Sequence, residues 1–358
     1  MGIWTALFGQ RVAQVSVEPA GVSFAVERGQ SILEAALAQG IAFPHSCTVG
    51  TCGSCKCRLK SGKIREITNF AYVLSAEELR SNVVLACQAA AKTDVVLEVP
   101  GFESKRLHPA GDYTARIVKR VALTHDIQQV TLEFDRPMAF DGGQYVQLAT
   151  DAVFGARAYS FASAPPPEGA RQVQLYVRRV PEGQLTELLF AGHLDNVTLH
   201  AHGPAGNFWL RESRAPMICI AGGSGLAPLL SMLDAAAARN VGRNCVLLFG
   251  ARTQADLYAQ ERITALAARW NGGFSYVPVL SAAEDDAEWQ GARGLVTGQV
   301  AAAAAALMTH DTEAYLCGPP PMIDAALPVL TELGVAPNNI HFDKFLDASH
   351  GLSRQELG

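Results

Sequence analysis

Long apolar runs are missing from this sequence. No stretch approaches the roughly 18 consecutive apolar residues of a membrane-spanning helix, so we expect no membrane-spanning segment. The opening MGIWTALFGQR has neither a basic region before its short apolar patch nor a long hydrophobic core, which does not fit a secretory signal peptide. The fourth residue after Gly2 is Ala6, which excludes the N-myristoylation pattern. We therefore expect a cytoplasmic protein without a membrane partner.

Positive charge and cysteine are also scarce. Lys and Arg number 29 against 34 Asp and Glu, and the resulting net charge of −5 argues against nucleic acid as a partner. The length of 358 residues predicts two to three domains of about 150 residues each, and the hydrophobic content of 49% is enough for their cores. Only 8 cysteines occur, and most lie in the first hundred residues. Without a secretory signal, such a group is more typical of a metal site than of disulfides.

The cysteine-rich stretch is CTVGTCGSCKC, residues 47–57. Its spacing, Cys47-x4-Cys52-x2-Cys55 with Cys87 far downstream in NVVLACQ, matches the plant-type 2Fe–2S pattern. Three thiolates on one loop can reach both irons only if the backbone turns sharply, and the glycines and small residues between them permit that turn. Cys57 alternates with Cys55 along a predicted strand and is interpreted as a packing residue.

Two other metal centres compete with this interpretation. Zinc also binds four thiolates, but its loops more often use two Cys-x2-Cys pairs, so zinc stays the rival interpretation. A Rieske centre needs histidine ligands, and His45 is followed by no second Cys/His pair.

The basic residues beside the loop indicate either a solvated hairpin edge or a docking patch for an acidic redox partner. They are Lys56, Arg58, Lys60, Lys63 and Arg65.

The first hundred residues predict a small α/β domain around this loop. VAQVSVEPAGVSFAVERG predicts two strands joined by a turn, and CKCRLKSGKI a further strand. Capping boxes at Ser31/Glu34 and Ser75/Glu78 predict the starts of two helices.

A polar stretch, PGFESKRLHPAGD, then predicts a linker, and short strands such as QVTLEFD, GGQYVQL and VQLYVRRV predict an antiparallel barrel. Within RAYSFAS, Arg157 is suited to a pyrophosphate, Tyr159 to an aromatic cofactor ring and Ser160 to a ring nitrogen. Gly183 and Thr186 open a predicted helix whose N-terminus suits phosphate. The alternative interpretation is two barrel strands and a capped helix without a ligand.

The last 150 residues alternate apolar strands with helical stretches, which predicts a parallel, doubly wound sheet. Gly222–Gly225 lie at a strand-to-helix turn, where the backbone can approach phosphate. In CGPPPM, Cys317 ends a strand, either as a buried structural thiol or as part of a hydride-transfer site. In GARTQADLY, Arg252 suits the 2′-phosphate of NADPH and Asp256 a ribose hydroxyl, which leaves the choice between NADH and NADPH open.

Together these motifs carry a resemblance. CTVGTCGSC with LACQ, RAYS, GGSGLAP and CGPPPM occur in the order typical of the ferredoxin–NAD(P)H reductase superfamily with an N-terminal plant-type ferredoxin domain. The layout is similar to the reductase components of bacterial multicomponent oxygenases, particularly the naphthalene- and benzoate-dioxygenase-type reductases. The resemblance extends over almost the whole chain, through HPA, VRRVPEGQLTE and the late IHFDKF.

The resemblance implies a role for each matching residue. The cluster ligands would be Cys47, Cys52, Cys55 and Cys87. The FAD-binding residues would be Arg157, Tyr159, Ser160, Tyr176, Val177, Arg178, Gly183 and Thr186. The NAD(P) pyrophosphate would meet Gly222, Gly223 and Gly225, and the nicotinamide would lie near Cys317 and Gly318. An acid and an aromatic residue approach the flavin in this family, and here they would be Asp343 and Phe345, acting with Ser160 and Cys317.

The predicted architecture has three domains. Residues 1–101 would form a 2Fe–2S β-grasp ferredoxin domain, 102–112 a linker, 113–212 an FAD-binding antiparallel β-barrel and 213–358 an α/β doubly wound NAD(P) domain. The implied activity passes electrons from NADH to FAD, to the cluster and then to an oxygenase of the Rieske aromatic-ring dioxygenase type or its small ferredoxin. We expect a monomer. The alternatives are a reductase for a diiron monooxygenase or a deoxysugar dehydratase, or a non-catalytic redox sensor.

Overall fold

A computed structural model describes residues 12–45, 48–51, 53–100, 102, 108–282 and 288–345. The chain divides into two compact units, Met1–Ala110 and Gly111–Gly358. No helix within the described ranges is long and apolar enough to cross a membrane.

The first unit is built on a five-stranded sheet with two short helices. Its elements are β1 Ala13–Glu18, β2 Val22–Val26, α1 Ile32–Ala38, β3 Lys56–Ser61, β4 Ile64–Glu66, α2 Ala76–Arg80, β5 Val83–Leu85, β6 Ala89–Ala91 and β7 Val95–Glu98. The sheet order is β2-β1-β7-β3-β5, in which β1 and β7 run parallel, and β4 pairs with β6 alone. This is the β-grasp arrangement that the sequence predicts.

Local sequence explains these elements. Ala13, Val15 and Val17 of β1 are buried while the residues between them are more exposed, as expected when one face of a strand covers a core. The Ser31 hydroxyl accepts a hydrogen bond from the amide of Glu34 at the start of α1. At α2, Ser75 and Glu78 form the full capping box, with both reciprocal bonds present.

The second unit begins with a six-stranded antiparallel sheet. Its elements are β8 Gly111–Ala122, β9 Ile127–Met138, β10 Tyr145–Thr150, β11 Val153–Ser160, β12 Ala170–Arg178, α3 Gln184–Phe190 and β13 Leu199–Ala205. The order is β11-β10-β13-β8-β9-β12, and a bridge between Phe161 and Leu175 joins the chain after β11 to β12. Contact between the two edge strands closes the sheet into a barrel.

A six-stranded parallel sheet follows. Its elements are β14 Met217–Gly222, α4 Leu226–Ala238, β15 Cys245–Ala251, α5 Gln260–Arg269, β16 Phe274–Leu280, β17 Ala292–Arg293, α6 Val300–Ala304, β18 Glu313–Gly318, α7 Pro320–Glu332 and β19 Ile340–Lys344. The order is β17-β16-β15-β14-β18-β19. Alternate residues of β14 enter two separate apolar clusters, so the sheet is buried on both faces as a doubly wound fold requires.

The amino end of this sheet holds a buried polar network. Arg243, only 2% exposed, donates to Glu313 at 2.8 Å, and the hydroxyl of Tyr315 donates to the same carboxylate oxygen at 2.6 Å. The indole of Trp270 donates to the carbonyl of Arg243 at 2.6 Å. These side chains satisfy each other's charges and hydrogen bonds, so this end of the sheet serves stability.

Candidate functional site

The described part of the cysteine loop brings two predicted ligands together. The sulfur atoms of Cys55 and Cys87 lie 3.3 Å apart and both residues are buried. That separation is far longer than the roughly 2.05 Å of a disulfide bond, and it is short enough for both thiolates to bind one metal ion. Cys47 and Cys52 lie outside the described residues.

The loop packs closely against the Cys87 segment at Gly50. Gly50 has φ +85°, and a Cβ there would lie 2.6 Å from the side chain of Gln88. Only glycine combines that backbone conformation with that approach. The residues present therefore fit a cluster held between the loop and the segment that follows β5.

Cys57 differs from the predicted ligands. It is buried on β3, its sulfur lies 3.9 Å from the carbonyl oxygen of Val84, and burial raises the pKa of its thiol far above the ordinary value. A thiol that stays protonated is a poor metal ligand, in agreement with its interpretation as a packing residue.

The basic residues beside the loop are largely paired with acids. Lys56 contacts Glu78 at 2.6 Å, while Arg58 and Lys60 lie 3.8 and 3.6 Å from Glu98. Exposed pairs of this kind contribute little to stability. Because they also offset the local positive charge, the docking patch stays a prediction.

The predicted flavin motif lies on the last strand residues of β11. Arg157 is exposed, Tyr159 is half-buried two residues on, and burial raises the pKa of the Tyr159 phenol to about 12. Ser160 is buried at the end of the strand and, by strand alternation, faces the other side from Tyr159. An exposed cation, an aromatic ring and a buried hydroxyl along one strand fit a ligand that has both a pyrophosphate and an apolar ring system.

The other residues assigned to FAD are distributed over three environments. Val177 is buried inside the barrel core. The Tyr176 hydroxyl accepts a hydrogen bond from Arg262 of α5 at 2.7 Å. Gly183 caps α3, and the Thr186 hydroxyl donates to its carbonyl at 3.0 Å, so both residues stabilise the turn before that helix. Their contacts with FAD stay predictions.

Arg178, also predicted to bind FAD, lines a cleft at the edge of the parallel sheet. This cleft, of about 200 Å³, runs along the carboxyl ends of β14, β15 and β16. Its walls include Arg178 and Asp126 of the barrel, the glycines at the end of β14, Arg252 and Asp256 after β15, and Pro319 and Met322 at the start of α7. Ligands of open α/β sheets bind at such carboxyl edges.

The glycine turn at the cleft has little space for side chains. Gly223 has φ +54°, and a Cβ on Gly225 would overlap the carbonyl oxygen of Cys317. The hydroxyl of Tyr258 donates to the carbonyl of Gly223 at 2.8 Å and holds the turn in place. The turn leads directly into the 13-residue α4, whose N-terminal dipole favours an anion, so the turn fits a pyrophosphate.

Cys317 and Asp343 are neighbours on adjacent parallel strands. They are register partners on β18 and β19, and the amide of Phe345 donates to the carbonyl of Gly318 at 2.9 Å. Burial raises the pKa of the Cys317 thiol well above its ordinary value, and the nearby Asp343 carboxyl adds to that shift. Burial also raises the pKa of Asp343 to about 7. The structure thus brings three predicted catalytic residues to one edge of the sheet, in an environment that disfavours charge.

Sequence reasoning missed two charged residues between the barrel and the parallel sheet. Asp126 precedes β9 and contacts both Arg178 and Arg252, at 3.1 and 3.2 Å. Arg262 donates to the Ala162 carbonyl of the barrel at 2.5 Å and to Asp234 of α4 at 2.6 Å. Neither belongs to a motif, and the Asp126–Arg252 pair spans 126 positions, so no local pattern could have found it.

Three family profiles match in the predicted order. The 2Fe–2S iron–sulfur cluster binding domain matches residues 15–92, the oxidoreductase FAD-binding domain 114–209 and the oxidoreductase NAD-binding domain 219–327. The chain therefore carries domains for a 2Fe–2S cluster, FAD and a nicotinamide coenzyme. The predicted 2Fe–2S cluster is confirmed over the rival zinc interpretation.

Relatives match over nearly the full length. The xylene/toluene monooxygenase electron transfer component of Pseudomonas putida is 42% identical over 92% of this chain and 93% of its own length. The ferredoxin–NAD(P)(+) reductase component of the naphthalene 1,2-dioxygenase system of Pseudomonas putida is 32% identical over 93% and 98%.

Among solved structures, the Amycolatopsis cytochrome P450 reductase is 35% identical, with a TM-score of 0.79 over 94% of this chain and 99% of that one. Domain order, cluster spacing and full-length similarity agree, and the chain belongs to the iron–sulfur flavoprotein reductases that form the electron-transfer components of oxygenase systems.

Proposed function

We propose that this chain oxidises NADH in the cleft and delivers the electrons to a monooxygenase acting on an aromatic hydrocarbon. When bound, FAD takes two electrons from NADH and the 2Fe–2S cluster passes them on singly. The observation that carries the proposal is the cleft itself, because a flavin-barrel residue, Arg178, and the glycine turn of the parallel sheet line the same space.

The glycine turn would bind the coenzyme pyrophosphate. Gly222, Gly223 and Gly225 allow the backbone to approach it, since a side chain at Gly222 or Gly225 would meet Met322 or Cys317. Backbone amides and the N-terminal dipole of α4 then favour its negative charge.

Cys317 and Asp343 would form the wall beside the nicotinamide and flavin rings. The Cys317 thiol stays protonated because its pKa is raised by burial. The carboxyl of Asp343, with a pKa near 7, is partly protonated at neutral pH and can hold or release a proton there. Phe345, which is packed against the same apolar cluster, would lie against the flavin.

On the barrel, the three residues of the RAYS motif would bind FAD. The exposed guanidinium of Arg157 would pair with the pyrophosphate, the ring of Tyr159 would lie against the isoalloxazine and Ser160 would donate its hydroxyl. Tyr159 remains neutral at any pH at which the protein works, since its pKa is about 12.

The choice of client follows from the relatives. The monooxygenase component is 42% identical and the dioxygenase component 32%, at nearly equal coverage. This favours a monooxygenase over the ring dioxygenase that the resemblance alone implies. We also propose that the chain works as a monomer in the cytoplasm.

The electron order is tested with cysteine variants. Cys87→Ser should abolish NADH-dependent cytochrome c reduction and spare most ferricyanide reduction, because flavin alone can reduce ferricyanide. Cys57→Ser, an equally buried thiol on the neighbouring strand, is the matched control and should retain both activities. Equal loss of both activities in Cys87→Ser would contradict the order. Failure of the wild-type protein to reduce either acceptor would contradict the proposed function and favour a redox sensor.

A further inference from the structure

Four charged side chains meet where the cleft reaches the end of β15. Asp126 accepts from Arg178 at 3.1 Å and from Arg252 at 3.2 Å, while Asp256 accepts from the same nitrogen of Arg252 at 3.1 Å. The two carboxylates are largely shielded, with side chains 16% and 12% exposed, whereas the two guanidinium groups are about half exposed. Two acids therefore balance two cations at this end of the cleft.

Hydrogen bonds fix the Asp126 carboxylate in place. Its other oxygen accepts from the hydroxyl of Thr124 at 2.9 Å, and the Thr124 hydroxyl also accepts from the amide of Asp126. Although partial burial alone would raise the pKa of Asp126, the Thr124 hydrogen bond and the two guanidinium groups lower it. Asp126 is thus a permanent negative charge that the barrel contributes to the coenzyme cleft.

A metal ion does not fit between these acids while Arg252 is present. Ligand atoms of His125, Asp126 and Asp256 lie within 4.8 Å of one another, which is close enough for a cation site. One nitrogen of Arg252 lies 3.1–3.2 Å from all three side chains. The guanidinium group therefore occupies the position that the ion would need.

The position of these four charged side chains determines which part of the coenzyme they contact. In open α/β sheets the residues after the second strand of the coenzyme-binding half read the adenosine ribose: an acid accepts from the 2′-hydroxyl of NADH, and an arginine pairs with the 2′-phosphate of NADPH. Arg252 and Asp256 follow β15, the neighbour of β14. A 2′-phosphate, with a charge between about −1.5 and −2 at neutral pH, would have to displace both carboxylates from their arginines.

We infer that Asp126 is a coenzyme-specificity residue: supplied by the flavin barrel, it holds Arg178 and Arg252 and thereby excludes NADPH. This inference rests on the proposed NADH oxidation in the cleft. The role of Asp126 adds to that predicted for Asp256, because removal of either acid leaves the ion pairs of the other acid in place. Specificity for the coenzyme is thus shared between two domains of the chain.

The test compares Asp126→Asn with the wild-type holoenzyme. Binding of adenosine 2′,5′-bisphosphate and of AMP is measured by isothermal titration calorimetry, and kcat/KM for NADPH and NADH by ferricyanide reduction. In Asp126→Asn, bisphosphate affinity relative to AMP should rise about tenfold, as should the NADPH to NADH ratio of kcat/KM. Asp135→Asn is the matched control, since Asp135 also pairs with an arginine of the barrel but lies outside the cleft, and it should leave both ratios unchanged.

Two further variants separate charge from fold. Asp126→Glu keeps the charge and should keep the NADH preference. Adding Arg252→Gln to Asp126→Asn should abolish the gained bisphosphate affinity, because Arg252, left with Asp256 as its acid partner in Asp126→Asn, would be the group that binds the phosphate. Equal changes in AMP and bisphosphate affinity in Asp126→Asn, or a switch of preference in Asp126→Glu, would overturn the inference. Those results remain distinguishable from failure of the proposed function, in which the wild type would not oxidise NADH.

Discussion

The two ends of the parallel sheet are built in opposite ways. At the amino end, Arg243, Glu313 and Tyr315 satisfy each other in a buried network. At the carboxyl end, glycines and half-exposed arginines line an open cleft. The same strands carry both ends, so the sheet itself does not decide the difference. A buried charge network stabilises one end, while glycines and half-exposed arginines leave the other available for a ligand.

The largest expected effect is on the amino end. Arg243→Met should lower the free energy of unfolding by about 3–5 kcal/mol, because it leaves the carboxylate of Glu313 buried without its cation. Urea denaturation measures the change. Arg239→Met, on an exposed residue after α4, should change it by less than about 0.5 kcal/mol. If Arg243→Met lowered the free energy of unfolding as little as the control does, the claim that the amino-end network stabilises the sheet would be wrong.

At the carboxyl end, Gly225→Ala should reduce kcat/KM for NADH about 100-fold, since the new Cβ overlaps the Cys317 carbonyl and displaces the turn. Stopped-flow flavin reduction is the measurement. Gly298→Ala is the control because a Cβ there has open space around it. Wild-type flavin reduction in a correctly folded Gly225→Ala protein would show that the turn does not hold the coenzyme.

The Asp343 carboxyl should make stability depend on pH. Its folded pKa of about 7 exceeds the unfolded value of 3.8, so the folded protein binds the proton more tightly. The stabilisation is fully present below about pH 4 and is lost as the pH rises towards 7. Asp343→Asn should therefore be more stable than wild type at pH 8, by a few kcal/mol, with no such gain at pH 4. Thermal denaturation at both values checks this, and parallel pH curves for the two proteins would contradict the raised pKa.

The smallest expected effect concerns the contact between the barrel and the parallel sheet. Arg262→Met removes the bonds to the carbonyl of Ala162, which lies in the RAYSFAS stretch, and to Tyr176, which the resemblance assigns to FAD. We expect about tenfold lower kcat/KM for NADH with unchanged FAD content, since each lost hydrogen bond to a charged group is worth about 1.5–3 kcal/mol and part of that cost falls on alignment. Arg269→Met is the control, because Arg269 contacts Asp234 of α4 and has no such bond to the barrel within the described residues. Equal effects of both variants would show that Arg262 acts on stability alone.

Sequence predicted the three domains and the cysteine pattern because these rest on local rules. Strand alternation, capping residues such as Ser75 and Glu78, and the spacing of Cys55 within its loop are all short-range features. The resemblance predicts Cys317 beside the nicotinamide and Asp343 beside the flavin, but it does not predict the strand register that makes the two residues neighbours.

The remaining parts of the site depend on which side chains the fold brings together. Arg178 is predicted to bind FAD, and the fold also places it in the lining of the cleft, because the end of β12 contacts the turn after β14. Asp126 carries no motif and contacts Arg252 across 126 positions. Long-range charge pairs of this kind have no signature in one sequence.

The most direct test of the central claim is an anaerobic titration of the purified protein with NADH, followed by visible absorbance and low-temperature electron paramagnetic resonance. The account predicts that flavin absorbance bleaches and that the rhombic signal of a reduced 2Fe–2S cluster appears with it. Flavin bleaching without that signal, in protein shown to contain iron and sulfide, would contradict the path from coenzyme through flavin to cluster.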